Sequence, residues 1–213
     1  GAINSSELVD YALSEFNIQI EIVTGDQEAD LIYHGVKWSY PFTNPTIIMD
    51  IGGGSTEFIH ADNNGINKMT SLNIGVSRIY QILKQPAEFS KEHIETVVDF
   101  LEEKSGDFFN DVEADILVGA TGSFETLYSL ISKTEFPPQN EVLEIPIDKA
   151  MQTLNWIITS SLEERLQSEW IIPMRKKMLP IAAIKVKWVI EKFGIKEIYV
   201  SPCSLKEGVF YKG

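Results

Sequence analysis

Residues 50–57 read Asp-Ile-Gly-Gly-Gly-Ser-Thr-Glu, directly after the apolar run Ile47-Ile48-Met49. A carboxylate at a strand end, next to consecutive glycine amides, lets a Mg²⁺ ion bridge protein and phosphate. Glycine has no Cβ to hold a ligand away, and successive N–H groups form a concavity for anions. Ser55 and Thr56 add hydroxyls, and Glu57 adds a second acid to the same turn. The plainer alternative is a tight hairpin whose glycines serve the turn alone, with Glu57 facing solvent. Neither the P-loop spacing G-x-x-x-x-G-K-[ST] nor the dinucleotide spacing G-x-G-x-x-G is present. A second glycine loop, Gly119 to Ser123, follows another apolar strand at 115–118 and repeats the idea.

Other chemistries are less well served. His34, His60 and His93 show no i, i+4 pairing and have no cysteine neighbours, which argues against zinc. Ser55 lacks the G-x-S-x-G setting of a serine hydrolase. Cys203 is the single cysteine and excludes an internal disulfide; beside Pro202 it reads as a small buried side chain. The four tryptophans, at 38, 156, 170 and 188, are spread out and read as packing residues of core or loops. A net charge of −13 over 213 residues argues against a nucleic-acid polymer as partner. From Met174 to Gly213 nine Lys or Arg face three acids, a local +6 that leaves −19 on the remainder. That basic end is either an anion-attracting rim or a set of solvated helix faces. No apolar run approaches the roughly 20 residues of a membrane span, and no signal peptide is evident, so a cytoplasmic location is expected. The chain starts at Gly1, and its natural start is expected upstream.

The elements that must position these residues alternate in type. Asn4 offers an N-cap, and Leu8, Tyr11, Ala12 and Phe16 share one face of a helix. Ile18, Ile20 and Ile22 alternate as in a half-buried strand. A second helix with Glu28 in its first turn is expected to end near Gly35, followed by a loop over 37–45. Strands are then expected at 47–50, 56–61 and 66–73, with Asn64-Gly65 as a hairpin signal. A long helical stretch at about 76–105 is broken at Pro86. After the strand at 115–118 come a helix, further helices at about 148–160 and 175–193, a strand at 197–200 and a short helix from Ser204. Such alternation implies an α/β fold with a mixed sheet, whose ligands collect where strand ends meet glycine loops.

The stretch "DIGGGSTE" resembles the phosphate-binding hairpin of the actin-like ATPase superfamily, in the wording of its exopolyphosphatase / guanosine pentaphosphate phosphohydrolase (Ppx/GppA) family. "IEIVTGDQEADLIYHGV", "LNIGVSRIYQ", "LVGATGSFETL" and "KEIYVSPCSLKEGVFY" are similar to further family segments in the same order, so nearly the whole chain is covered. The resemblance implies a ribonuclease H-like (actin-like ATPase) mixed sheet with flanking helices. It implies Mg²⁺-dependent hydrolysis of terminal phosphoanhydride bonds in inorganic polyphosphate or guanosine pentaphosphate. Glu28 would activate the water, and Asp50 with Glu57 would hold the metal. Gly52, Gly53, Gly54 and Ser55 would bind phosphate, with Gly119, Gly122 and Ser123 on the distal side of the cleft. A non-catalytic phosphate- or nucleotide-binding regulatory relative is the alternative. The resemblance also implies two lobes: residues 1–36 would be the end of a first lobe that is mostly missing, residues 37–213 the second, and the surface left bare would favour a homodimer. Arg78 and Arg175 match family arginines, although a surface salt bridge would explain Arg78 equally well. Lys177 stands where the family has an acid, and Pro202-Cys203 departs from its Asp-Gly-Gly wording. Phe124 follows Ser123 where a glycine-threonine pair is common, and it is expected to narrow the ligand space.

Overall fold

The computed structural model describes residues 5–138 and 140–212. Strand β1 (Thr46–Ile51) is buried at all six positions, because it lies mid-sheet with both faces covered. It pairs antiparallel with β2 (Thr56–Asp62) and parallel with β4 (Ile116–Gly119). With β3 (Gly65–Leu72), β5 (Leu143–Ile145) and β6 (Glu197–Val200) it makes a six-stranded mixed sheet in the order β3-β2-β1-β4-β6-β5.

Helices cover both faces. On one, α2 (Gly25–Ser39) and α9 (Leu205–Lys212) bury Ala29, Ile32, Val36 and Leu205 against Ile48, Ile59, Ala61 and Val118. On the other lie α3 (Val76–Ile82), α4 (Lys91–Ser105), α5 (Gly122–Ser132), α6 (Ile147–Thr159) and α8 (Leu179–Phe193). These pack on Ile47, Met49, Phe58 and Leu117. This is the α/β mixed sheet with flanking helices that the alternation implies. Among the described residues no helix is long and apolar enough to cross a membrane.

Several expected elements differ. Helix α1 (Ser5–Phe16) forms, but its Asn4 cap lies outside the described residues. Residues 17–24 form neither helix nor strand, and Ile18 and Ile22 stand 56% and 63% exposed. Their alternation supplies a strand face, but no described strand offers them a ladder to join. Helix α2 runs past Gly35 to Ser39. Gly35 is a crossing point rather than a helix end, since a Cβ there would lie 1.9 Å from the Ser204 carbonyl oxygen. Gly208 mirrors it, 1.8 Å from the Leu31 oxygen. The break at Pro86 widens to residues 83–90. Helix α8 starts at Leu179, after a 3-10 turn at Pro173–Arg175. The short β5 and α7 (Leu162–Gln167) carry too little periodicity to be read in advance. Trp188 is buried, whereas Trp38 is 57% exposed and stacks on Tyr211 at 4.0 Å.

The α2–α9 crossing yields a test. Gly35→Ala forces two helices apart at backbone contact, so it is expected to cost about 1–3 kcal/mol, read as a lowered melting temperature. An unchanged Tm would show that the helices do not cross this closely.

Candidate active site

Asp50 and Glu57 are directly opposed across the β1–β2 pair, at the strand ends. Both point to the face covered by α2. Glu28 is in the first turn of that helix, whose start is fixed by a capping box between Thr24 and Gln27. The same turn sits tightly on β3, since a Cβ on Gly25 would lie 2.5 Å from Ser71 Cβ. Ser71 Oγ in turn donates to Glu57 Oε1 at 2.6 Å, and Ser204 Oγ, just before α9, donates to Asp50 Oδ2 at 3.0 Å.

Three carboxylates from α2, β1 and β2 therefore share one field. Burial pushes Asp50 up to about 7; Glu57 and Glu28 add repulsion, while the Ser204 and Thr121 hydroxyls oppose the rise. Burial and then the charge of Glu57 also raise Glu28. Glu57 is buried, which excludes the solvent-facing reading.

The carbonyls of the glycine turn are all engaged by the protein. Gly54 O accepts from Gly75 N (3.1 Å), Gly52 O from Val76 N (3.0 Å) and Gly53 O from Ser77 N (2.9 Å). The first turn of α3 thus takes up the carbonyls. Gly75 makes this approach feasible, because a Cβ there would lie 2.3 Å from Gly53 backbone atoms. Gly52 N–H donates to Ser55 O at 3.1 Å, so it is committed to the turn, a correction to its expected role as a phosphate donor. The N–H groups of Gly53, Gly54 and Ser55 have no acceptor among the described residues. A Cβ on Gly54 would meet nothing within 4 Å, and its φ is not positive, so neither packing nor backbone conformation demands glycine there.

The second glycine loop differs. A Cβ on Gly119 would lie 1.9 Å from the Phe124 ring, and one on Gly122 would lie 1.7 Å from Arg175 Nη2. Both glycines serve packing. Phe124 is fully buried beneath Gly119 rather than narrowing the ligand space, which corrects that expectation. Ser123 lines a cleft of about 230 Å³ with Gly52, Gly53, Ser77, Arg175 and Met178. Arg175, half-buried, donates to Thr126 Oγ1 at 3.2 Å. Arg78 donates to Gly54 O at 3.4 Å, a brace on the turn rather than a surface salt bridge.

Five of the nine basic residues of the C-terminal stretch are paired locally: Lys187 with Glu191, Lys192 with Glu102, Lys196 with Asp115, Lys206 with Glu207 and Lys212 with Asp30. Apart from the buried Lys185, the cations left without a carboxylate partner among the described residues are Arg175, Lys176 and Lys177, with Lys176 donating to Leu166 O. Lys185 is fully buried on the opposite face of the sheet and donates to Thr56 Oγ1 and Ile74 O. The histidines serve elsewhere: His34 beside Asp30, His60 on Glu113 O and His93 in the α4 capping box. Ser71, Gly75, Ser204 and Lys185 are the site residues that sequence reasoning missed. Lys185 had left one signal, a position four after Ile181 and three before Trp188 on the apolar stripe of its helix.

A model of the Ppx/GppA phosphatase family matches residues 1–213. The chain is 24% identical over 213 residues to a guanosine-5'-triphosphate,3'-diphosphate pyrophosphatase of Aeromonas hydrophila, a match covering 99% of this chain and 42% of that one. It is 26% identical over 218 residues to a bifunctional 3-dehydroquinate synthase/phosphatase of Fusobacterium nucleatum, covering 99% and 32%. The chain spans less than half the length of these curated relatives. Among solved structures it is similar to an exopolyphosphatase from Cytophaga hutchinsonii, with TM-score 0.92, 26% identity and coverage of 99% and 70%. A Ppx/GppA family member from Aquifex aeolicus shares the fold at TM-score 0.82, 23% identity and coverage of 99% and 69%.

The buried charges predict an unusual pH profile in chelator-treated protein. Asp50 binds its proton up to about pH 7 when folded but loses it near 3.8 when unfolded, so stability falls as pH rises across that window. Burial holds Lys185 down at about 7, against 10.5 when exposed, so stability recovers as pH rises above neutrality. Denaturant titrations from pH 4 to 10 should show a minimum near neutral pH. Asp50→Asn should shrink the acid limb to the part that the raised Glu28 carboxyl contributes and leave the alkaline limb; an acid limb undiminished in Asp50→Asn would refute the assignment.

Proposed function

The chain belongs to the Ppx/GppA phosphatase family, and we propose that it carries the water-activating and phosphate-binding half of a Mg²⁺-dependent phosphoanhydride hydrolase. The substrate would be inorganic polyphosphate or guanosine pentaphosphate, cut at its terminal phosphate. The observation that carries this reading is the convergence of Glu28, Asp50 and Glu57 beside the unengaged amides of Gly53, Gly54 and Ser55. The names of the matched relatives from Aeromonas hydrophila and Cytophaga hutchinsonii support the same reaction class.

The donor set fits a hard cation. Mutually repelling, buried carboxylates with hydroxyl neighbours gain from a divalent charge, and all ligands offered are oxygens. Among the described residues no group of three or more His, Cys, Asp or Glu closes a metal site. Asp50 and Glu57 would hold Mg²⁺ with substrate oxygens and water completing its shell, the usual mode for this ion. When bound, the ion supplies charge neutralisation on the transferred phosphoryl group.

The chain's own residues account for the remaining steps. The amides of Gly53, Gly54 and Ser55 hold phosphate oxygens in a fixed array, which limits catalysis to positioning and electrostatic stabilisation, as phosphoryl transfer requires. Glu28 accepts a proton from the attacking water as its oxygen bonds to the terminal phosphorus and the anhydride P–O bond breaks. A carboxylate raised above its ordinary value is the stronger base for this purpose. Arg175, across the cleft, faces the charge of the departing chain.

Phosphate release from long-chain polyphosphate and from guanosine pentaphosphate, measured on the complete natural protein with Mg²⁺ and with chelator, tests the proposal. Metal-dependent release from one of them is expected, with Glu28→Gln about 10²- to 10⁴-fold slower. Phosphate binding without release from either substrate would overturn it in favour of a regulatory, non-catalytic relative.

A further inference from the structure

Lys185 is the one charged residue among the buried positions of α8, where its neighbours are Ile184, Val186 and Ala182. Its ammonium donates to Thr56 Oγ1 and, at 2.8 Å, to Ile74 O. It makes no ion pair among the described residues; the negative charges that act on it are Glu57 and Asp50, on the other face of the strand pair. Burying an ammonium without a carboxylate contact is costly, and an apolar side chain of like volume is often as good or better for stability. Packing therefore does not explain this lysine.

Its two acceptors do. Thr56 follows Ser55 directly and closes the glycine turn. Ile74 precedes Gly75, whose N–H, with those of Val76 and Ser77, takes up the turn's carbonyls. One ammonium thus ties together the two chain segments that build the phosphate-binding turn, from a fully buried position. We propose that Lys185 is a positioning residue for this turn, pinning Thr56 and Ile74 from beneath it. The inference rests on the reading of the turn as a phosphate site.

The test uses the complete natural protein and inorganic phosphate with Mg²⁺, titrated calorimetrically, alongside thermal melting. Lys185→Met should weaken phosphate binding about tenfold or more, the scale of a lost charge-assisted hydrogen bond, with Tm unchanged or raised. Thr56→Val should weaken it less, and the double variant should bind no worse than Lys185→Met alone, because both act through one contact. Unchanged affinity in Lys185→Met, or losses that simply add, would overturn the inference whether or not Tm falls. If Lys185→Met does not fold, folded Thr56→Val decides: wild-type phosphate affinity there overturns it, and weakened affinity supports it. A wild-type protein that binds no phosphate overturns the reading of the turn and this inference with it. Wild-type binding with an indifferent Lys185→Met overturns this inference alone.

Discussion

An anion can approach a peptide turn only if the carbonyl oxygens of that turn point somewhere else. Here the requirement is met by α3, whose first N–H groups capture the oxygens of Gly52, Gly53 and Gly54. A helix start ordinarily leaves those donors open; in this fold they are spent on the neighbouring turn. Two sets of orphan groups thus satisfy each other, and the donors left over belong to Gly53, Gly54 and Ser55. The close approach depends on Gly75, which has no side chain to separate helix from turn.

The acids on the other face depend on a second set of close contacts. Gly25 brings the start of α2 down onto Ser71, and the Gly35–Gly208 crossing holds α2 against α9. Without the first contact Glu28 would not share a field with Glu57; without the second, Ser204 would not reach Asp50 from the start of α9. Glu57 accepts a hydrogen bond from the Ser71 hydroxyl, and the Ser204 and Thr121 hydroxyls act on Asp50 without offsetting its burial. The site is held together by backbone proximity at glycines more than by attraction among its charged groups.

Much of this was legible in the sequence. The strand at 46–51, the hairpin after it, the parallel strand at 116–119 and the helix beginning at Gly122 follow from apolar runs punctuated by glycine. What stayed hidden depends on partners distant in sequence. The alternating isoleucines at 18, 20 and 22 spell a strand, yet a strand is a property of two segments. Gly35 spells a helix stop until the Ser204 backbone is seen against it. Gly119 and Gly122 read like Gly54, but the first two accommodate Phe124 and Arg175, while none of the described residues occupies the space over the third. At Gly119 and Gly122 the fold itself requires glycine, whereas at Gly54 it does not, and only the tertiary neighbours tell the two cases apart.

Local rules of folding are broken here in a concentrated way, and the location of the breaches is informative. An acid ends a strand buried at every position, a lysine interrupts the apolar stripe of α8, and Gly54 adopts a conformation any residue could hold in a space any methyl could fill. Taken singly, each lowers stability or leaves it unimproved. Asp50, Gly54 and Thr56, the partner of Lys185, lie within seven consecutive residues, and the buried acid Glu57 follows directly. Conflicts between local preference and global fold persist where function requires them. Their clustering is a physical ground for proposing this turn as the working part of the molecule, one that does not depend on likeness to any relative.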